Sequence, residues 1–236
     1  MLMAYAACAL YLLSFWKRFF LYVGLAAQGA YIISRGLELG RLPLIGPHDT
    51  LIFLSACMAA FSIPFGIALR KYRVFHKGVA AMAVIFGLAG VLSKQHNAPL
   101  PPVLKTLWFE LHVVSAFLSY ALFGIGAVTG FLYLKERDDL IEGAQYRSLL
   151  IGYCLFSLSM IFGGVWAYLA WGTYWLWTPK ELWTSIVWVF YSLYLHARFT
   201  RQWTGRPSSV LGIAGFVVVI FTYLGVSLLM KSSHTF

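Results

Sequence analysis

The chain has 236 residues, 61% of them hydrophobic and 11% charged, with a formal net charge of +10. So little charge excludes a soluble domain of this size, and basic residues confined to short links between apolar runs exclude a nucleic-acid surface. Apolar runs long enough to cross a bilayer recur without the alternation of a β-barrel. The expected fold is therefore all-α, a polytopic integral membrane helical bundle.

The first apolar run, 1–15, is short and has no basic segment before it, so it reads as a helix rather than a cleaved signal. Trp16-Lys17-Arg18 closes it, and 19–34 forms a second helix whose interior Gln28 suits a helix–helix hydrogen bond. Gly and Pro make 35–49 a loop, with Asp49-Thr50 placed to cap a third helix over 50–69. Pro64 is expected to bend that helix. A basic link, 70–77, precedes a fourth helix over 78–93, and a Pro-rich loop follows over 94–105. The fifth helix runs from about Trp108 to Tyr133. Residues 135–142 form a charged, solvated link, and the sixth helix spans 147–168. The seventh covers 183–198, a basic link occupies 199–209, and the eighth covers 210–230. Cys8, Cys57 and Cys154 stand alone in apolar runs without a CxxC pair, so they read as small, buried and inert.

Eight crossings put both termini on one face. The links near 16–18, 70–77, 135–147 and 198–206 carry 12 of the 18 Lys and Arg residues, which makes that face cytoplasmic. Both termini, both Pro-rich loops and the segment 166–183 are then external. That segment holds five Trp residues, Trp166, Trp171, Trp175, Trp177 and Trp183, together with Tyr174. Interfacial anchoring accounts for one or two Trp residues anywhere in a membrane protein. Five around a Gly and a Pro suit a platform for a flat, largely apolar ligand.

The same topology sorts the histidines. His112 and His234 fall at the level of the Trp-rich segment, and His196 at the opposite side. Two imidazoles from different helices beside an aromatic shelf suit axial ligation of a haem iron. The alternative is a pair of ordinary interfacial histidines. Zinc needs three or four ligands; Glu110 is a third candidate, but no water-activating arrangement accompanies it. Arg41, Lys105, Lys180 and Arg198 are candidate partners for haem propionates.

The run Trp171-Gly-Thr-Tyr-Trp-Leu-Trp-Thr-Pro-Lys-Glu-Leu-Trp183, with Leu195-His196-Ala197-Arg198 downstream, resembles the tryptophan-rich signature of the CcsA/ResC-type cytochrome c assembly proteins. His112 through Tyr120, Arg201 through Arg206, Gly215 through Val226 and Ser233-His234-Thr235 extend the likeness, which is specific from Trp108 onward. The resemblance implies haem b as the cofactor, with His112 and His234 as external axial ligands. It makes His196 one ligand of an inner haem position whose second ligand a CcsB/ResB-like membrane partner supplies. Trp171, Tyr174, Trp175, Trp177 and Trp183 become the haem platform. Residues 1–107 then form an N-terminal four-helix membrane region and 108–236 the haem-handling core. The implied function is haem delivery and presentation to apocytochrome c for attachment at CxxCH. The chain would act as one component of a synthase complex rather than as a self-contained enzyme with catalytic residues. A thioredoxin-like thiol reductant is a further implied partner. The implied location is the bacterial cytoplasmic membrane or the thylakoid membrane. Thr178 departs from the family pattern, which commonly has an acidic residue there. This departure keeps open a haem-binding biogenesis or regulatory protein without synthase activity. Two more distant rivals are an electron-transfer subunit that holds haem permanently and a transporter of another solute.

Overall fold

The computed structural model describes residues 1–226, which fold into helices α1 (Leu2–Leu13), α2 (Phe19–Leu39), α3 (Gly46–Ala68), α4 (Arg73–Leu92), α5 (Leu107–Glu136), α6 (Asp139–Trp171), α7 (Pro179–Arg201) and α8 (Arg206–Ile220). A 3₁₀ turn, Pro102–Leu104, precedes α5, and a π-turn, Phe221–Gly225, continues α8. Among the described residues, five helices are long and apolar enough to cross a membrane: α3, α4, α5, α6 and α8 with its π-turn. The chain is thus an all-α, polytopic membrane helical bundle. It divides into two compact units, Met1–Pro99 and Leu100–Phe236.

The first unit is a ring of four helices, in which α1 packs on α2, α2 on α3, α3 on α4 and α4 back on α1. A polar knot ties the ring. Buried Gln28 accepts from the Tyr11 hydroxyl and donates to the Ile52 carbonyl, and Ser55 Oγ donates to the Ala83 carbonyl. Each group is satisfied inside an apolar surround, where an unmade bond costs about 1–3 kcal/mol. Gln28 is therefore the helix–helix fastener that its position suggests.

Several helix ends differ from the sequence reading, each because a tertiary contact outweighs local punctuation. The segment 35–39 is the last turn of α2, closed by Gly40 at φ 63°. Arg35 holds that turn by reaching Asp49 Oδ1 at 3.3 Å and Asn97 Oδ1 at 2.7 Å. Asp49 consequently does not cap α3, which starts earlier, at Gly46-Pro47, and runs on through Pro64. The link before α4 shrinks because that helix starts at Arg73. The charged stretch 135–142 is mostly helical, and only Arg137-Asp138 separates α5 from α6. Asp138 caps α6, and Glu142 is drawn onto the Arg198 guanidinium. Cys8 and Cys57 are buried, but Cys154 is exposed, on the outward row of α6 with Ile151, Leu158 and Ile161.

In the second unit α5 packs along α6 and α8, and α7 rests on α6 and α8. Small residues let these helices approach closely. A Cβ at Gly130 of α5 would lie 3.1 Å from the Ser209 carbonyl oxygen and 2.5 Å from Gln145 Nε2. Gln145 and Ser209 meanwhile exchange hydrogen bonds between α6 and α8. The antiparallel order gathers the start of α5, the end of α6, the start of α7 and the end of α8 at one end of this unit.

Candidate functional site at the tryptophan-rich end

The site is built on α6. That helix continues through Trp171, so of the segment 166–183 only residues 172–178 are non-helical. The sequence reading of 166–183 as a loop is corrected by its two boundaries. Gly172, at φ 74°, terminates α6, and Pro179 occupies the first turn of α7, where its missing N–H costs nothing.

His112 sits in the second turn of α5, behind a Thr106 cap that accepts from Phe109 N at 3.2 Å. Its imidazole lies against Gly163 of α6, where a Cβ would fall 2.7 Å from Nδ1. Nδ1 is 2.8 Å from the Ser159 carbonyl oxygen and 3.1 Å from Ser159 Oγ, while that hydroxyl donates to the His112 carbonyl at 2.9 Å. A carbonyl only accepts, so Nδ1 carries the proton and Nε2 carries the ring's donor electron pair. This is the tautomer that ligation through Nε2 requires, with the second nitrogen fixed as in metal-ligating histidines.

Trp166 is the hub beside it. Its ring runs nearly parallel to His112, at 12° with centroids 6.5 Å apart, and it meets Trp171 edge-on at 4.9 Å and Phe109 at 5.3 Å. Its Nε1 donates to the Val103 carbonyl at 2.8 Å, which ties the 3₁₀ turn to α6. Ser159, Gly163 and Trp166 are spaced four and three residues apart and so share one helical face. That spacing is informative only once α6 is known to continue so far. Of the three, the sequence reading included Trp166 in the tryptophan-rich segment and left out Ser159 and Gly163.

The segment 172–178 folds back along α6. Tyr174 stacks on Tyr168 at 4.6 Å and 13°, and the Tyr174 carbonyl oxygen lies 3.6 Å from where a Gly164 Cβ would stand. Trp171 and Trp177 are 37% and 71% exposed, and Tyr174 is 60% exposed. Trp175 is half-buried. Trp177 takes the left-handed conformation at φ 56°, which costs an L-residue about 1–3 kcal/mol. Thr178 then caps α7, accepting from Glu181 N at 3.3 Å, and the Glu181 carboxylate accepts in return from Thr178 N at 2.9 Å. This reciprocal capping box is a function that an acidic residue at 178 also performs, so the threonine loses only the charge.

Trp183, one turn into α7, packs on Phe221 of the π-turn at 4.5 Å. Single π-turns within helices often mark functional sites. His234 lies outside the described residues. His196 is at the far end of α7, about 20 Å from Trp183 at 1.5 Å per residue, and the structure does not bring it to the aromatic end. It is exposed, with Thr200 Oγ1 3.4 Å from its Nδ1. Arg198, a candidate propionate partner, is instead paired with both carboxylate oxygens of Glu142 and lies 4.3 Å over the Tyr146 ring. Among the described residues, no group of three or more His, Cys, Asp or Glu side chains is placed to hold a metal ion.

A family model for cytochrome C assembly protein matches residues 46–234. The cytochrome c biogenesis protein CcsA of Guillardia theta is 32% identical over 238 residues, covering 86% of this chain and 79% of that protein. CcsA of Prochlorococcus marinus (strain NATL2A) is 30% identical over 250 residues, covering 87% of this chain and 79% of that protein. Among solved structures, cytochrome c heme lyase CcmF shares the fold over 98% of this chain, with a TM-score of 0.72 at 15% identity. This chain spans 45% of that one. With a family match over most of its length, and relatives at 30–32% identity of which it covers 79%, the chain belongs to the cytochrome c assembly protein family.

Proposed function

We propose that this chain holds haem b at the tryptophan-rich end of its second unit and presents it to apocytochrome c for thioether attachment at CxxCH. One observation carries the reading: His112 has its Nδ1 proton committed to Ser159, which puts the ring's donor pair on Nε2, and its ring lies alongside Trp166, which meets the part-exposed Trp171. The donor set fits haem, because a porphyrin brings four nitrogens and asks the protein for axial imidazoles and flat apolar cover. When bound, haem supplies the iron for that ligation and the vinyl groups across which the cysteine thiols of CxxCH add.

In this reading His112 and His234 are the external axial ligands, and Trp171, Tyr174, Trp175, Trp177 and Trp183 form the shelf that orients the ring and keeps water off it. His196, exposed at the other end of α7, is one ligand of an inner position completed by a CcsB/ResB-like membrane protein. A thioredoxin-like reductant keeps the substrate thiols reduced. The chain contributes placement rather than acid–base chemistry, and holding the reactants in register supplies the acceleration. The second unit is the haem-handling core and the first a four-helix support. All eight helices cross the bacterial cytoplasmic or thylakoid membrane, with both termini and the segment 172–178 external.

The purified protein is expected to show a low-spin haem spectrum that is lost in the His112→Ala, His234→Ala double variant. Unchanged low-spin haem in that variant rejects the ligand assignment. A second reading, haem binding without attachment, is favoured by Thr178, which leaves this corner one carboxylate short of the usual family pattern. Maturation of a c-type cytochrome with the membrane partner co-expressed decides between them.

A further inference from the structure

Glu181 does more than complete the cap of α7. The same carboxylate oxygen that accepts from Thr178 N also accepts from Leu176 N, each at 2.9 Å. These two amides flank Trp177, the residue at φ 56°. A left-handed residue turns the N–H groups on either side of it toward one point, making a concavity that binds an anion. Here the anion is built into the chain, in the first turn of α7, where the helix N-terminus also favours negative charge. The bulky residue between the two amides has its ring 71% exposed. Burial of that ring therefore does not hold the backbone in its unfavourable conformation; the carboxylate does.

We propose that Glu181 is a positioning residue, whose carboxylate clamps residues 176–178 so that the Trp177 indole is displayed rigidly toward the haem face. The inference rests on the haem reading, but the clamp can be measured without it. An amide oxygen can accept both N–H groups as a carboxylate does, so Glu181→Gln keeps the clamp and Glu181→Ala abolishes it. Thr178→Ala breaks the other half of the cap while leaving both amides on Glu181, which separates clamping from capping.

The test uses the full chain in detergent or nanodiscs, with hydrogen exchange of the 172–182 peptides and haem content per protein as the two readouts. Glu181→Ala is expected to lose amide protection in 176–178 and about tenfold in haem retention, the scale seen when a group that orients a ligand is removed. Glu181→Gln and Thr178→Ala are expected to keep both. Trp177→Gly removes the ring and the need for a clamp together, so adding Glu181→Ala to it should cost no further haem. Unchanged exchange in Glu181→Ala overturns the clamp and leaves the haem reading standing. Losses that simply add in the double variant, or Gln behaving as Ala, overturn the positioning role. Absence of haem from the unsubstituted protein overturns the haem reading, while the exchange data still report on the clamp.

Discussion

At the scale of single residues, His112 is fixed from behind. Its Nδ1 partner is a backbone carbonyl of α6, which no substitution removes, and its ring position depends on the absence of a side chain at Gly163. A methyl group there would stand 2.7 Å from Nδ1, closer than real contacts allow, and the imidazole is the part that must move. Alanine is also the better helix former by about 1 kcal/mol, so α6 itself gains. Gly163→Ala is therefore expected to retain the helical circular dichroism and thermal midpoint of the parent while losing the low-spin haem signature. A parent-like spectrum would show that the ring tolerates displacement and that its hydrogen bond to Ser159 does not set the ligand. The charged residues divide in the same way between framework and site. Arg198 satisfies Glu142 and Tyr146 and fastens α7 to the start of α6, so it is not available to a propionate.

At the scale of elements, α5, α6 and α8 close on small residues and one buried amide, beside aromatic contacts such as Phe123 on Phe156. Gly130 faces the Ser209 backbone and the Gln145 amide, so Gly130→Val forces α8 outward. It is expected to cost about 1–3 kcal/mol, the usual range for overpacking a tight contact. Gly143, with nothing within 4 Å of its Cβ position, is the control. Gly143→Ala should match or exceed parent stability, as thermal unfolding in detergent can read. Helix existence and order were legible in the sequence because each apolar run is long and strongly bounded. Helix ends were not. Residues 35–39 look like a loop until Arg35 finds Asp49 and Asn97, and 139–146 look like a solvated link until Glu142 finds Arg198. These partners lie 14, 62 and 56 residues away, and no local signal announces them. In the site, the aromatic density of 171–183 and the placement of His112 were readable. Ser159 and Gly163 were not, since a serine and a glycine inside an apolar helix ordinarily signify packing. The double duty of Glu181 depends on a backbone angle at Trp177 that no residue type foretells.

At the scale of the whole molecule, sidedness connects the site to its substrate. A haem platform serves apocytochrome c only on the face where the cytochrome matures. In the proposed topology the basic links 16–18, 70–77 and 135–147 lie on the opposite, cytoplasmic face. Helix count is the weaker half of the assignment. The 12 residues of α1 span about 18 Å at 1.5 Å per residue, short of a hydrocarbon core of about 30 Å. Yet α1 carries Tyr11, whose hydroxyl is spent on buried Gln28, so one face of the helix is an integral wall of the four-helix ring. In the proposed topology this short helix crosses where the bilayer thins, with Leu2, 86% exposed, at its outer end. In a background with Cys8, Cys57 and Cys154 replaced, single cysteines at Leu2, Lys94 and Tyr174 should react with a membrane-impermeant maleimide in intact cells. Cysteines at Lys17, Lys71 and Arg137 should react only after lysis. Labelling at Lys94 and Tyr174 with protection at Leu2 would return the N-terminus to the inner face and leave seven crossings, with the aromatic site where it is. Protection at Tyr174 would place the platform away from the cytochrome and remove the basis for presentation.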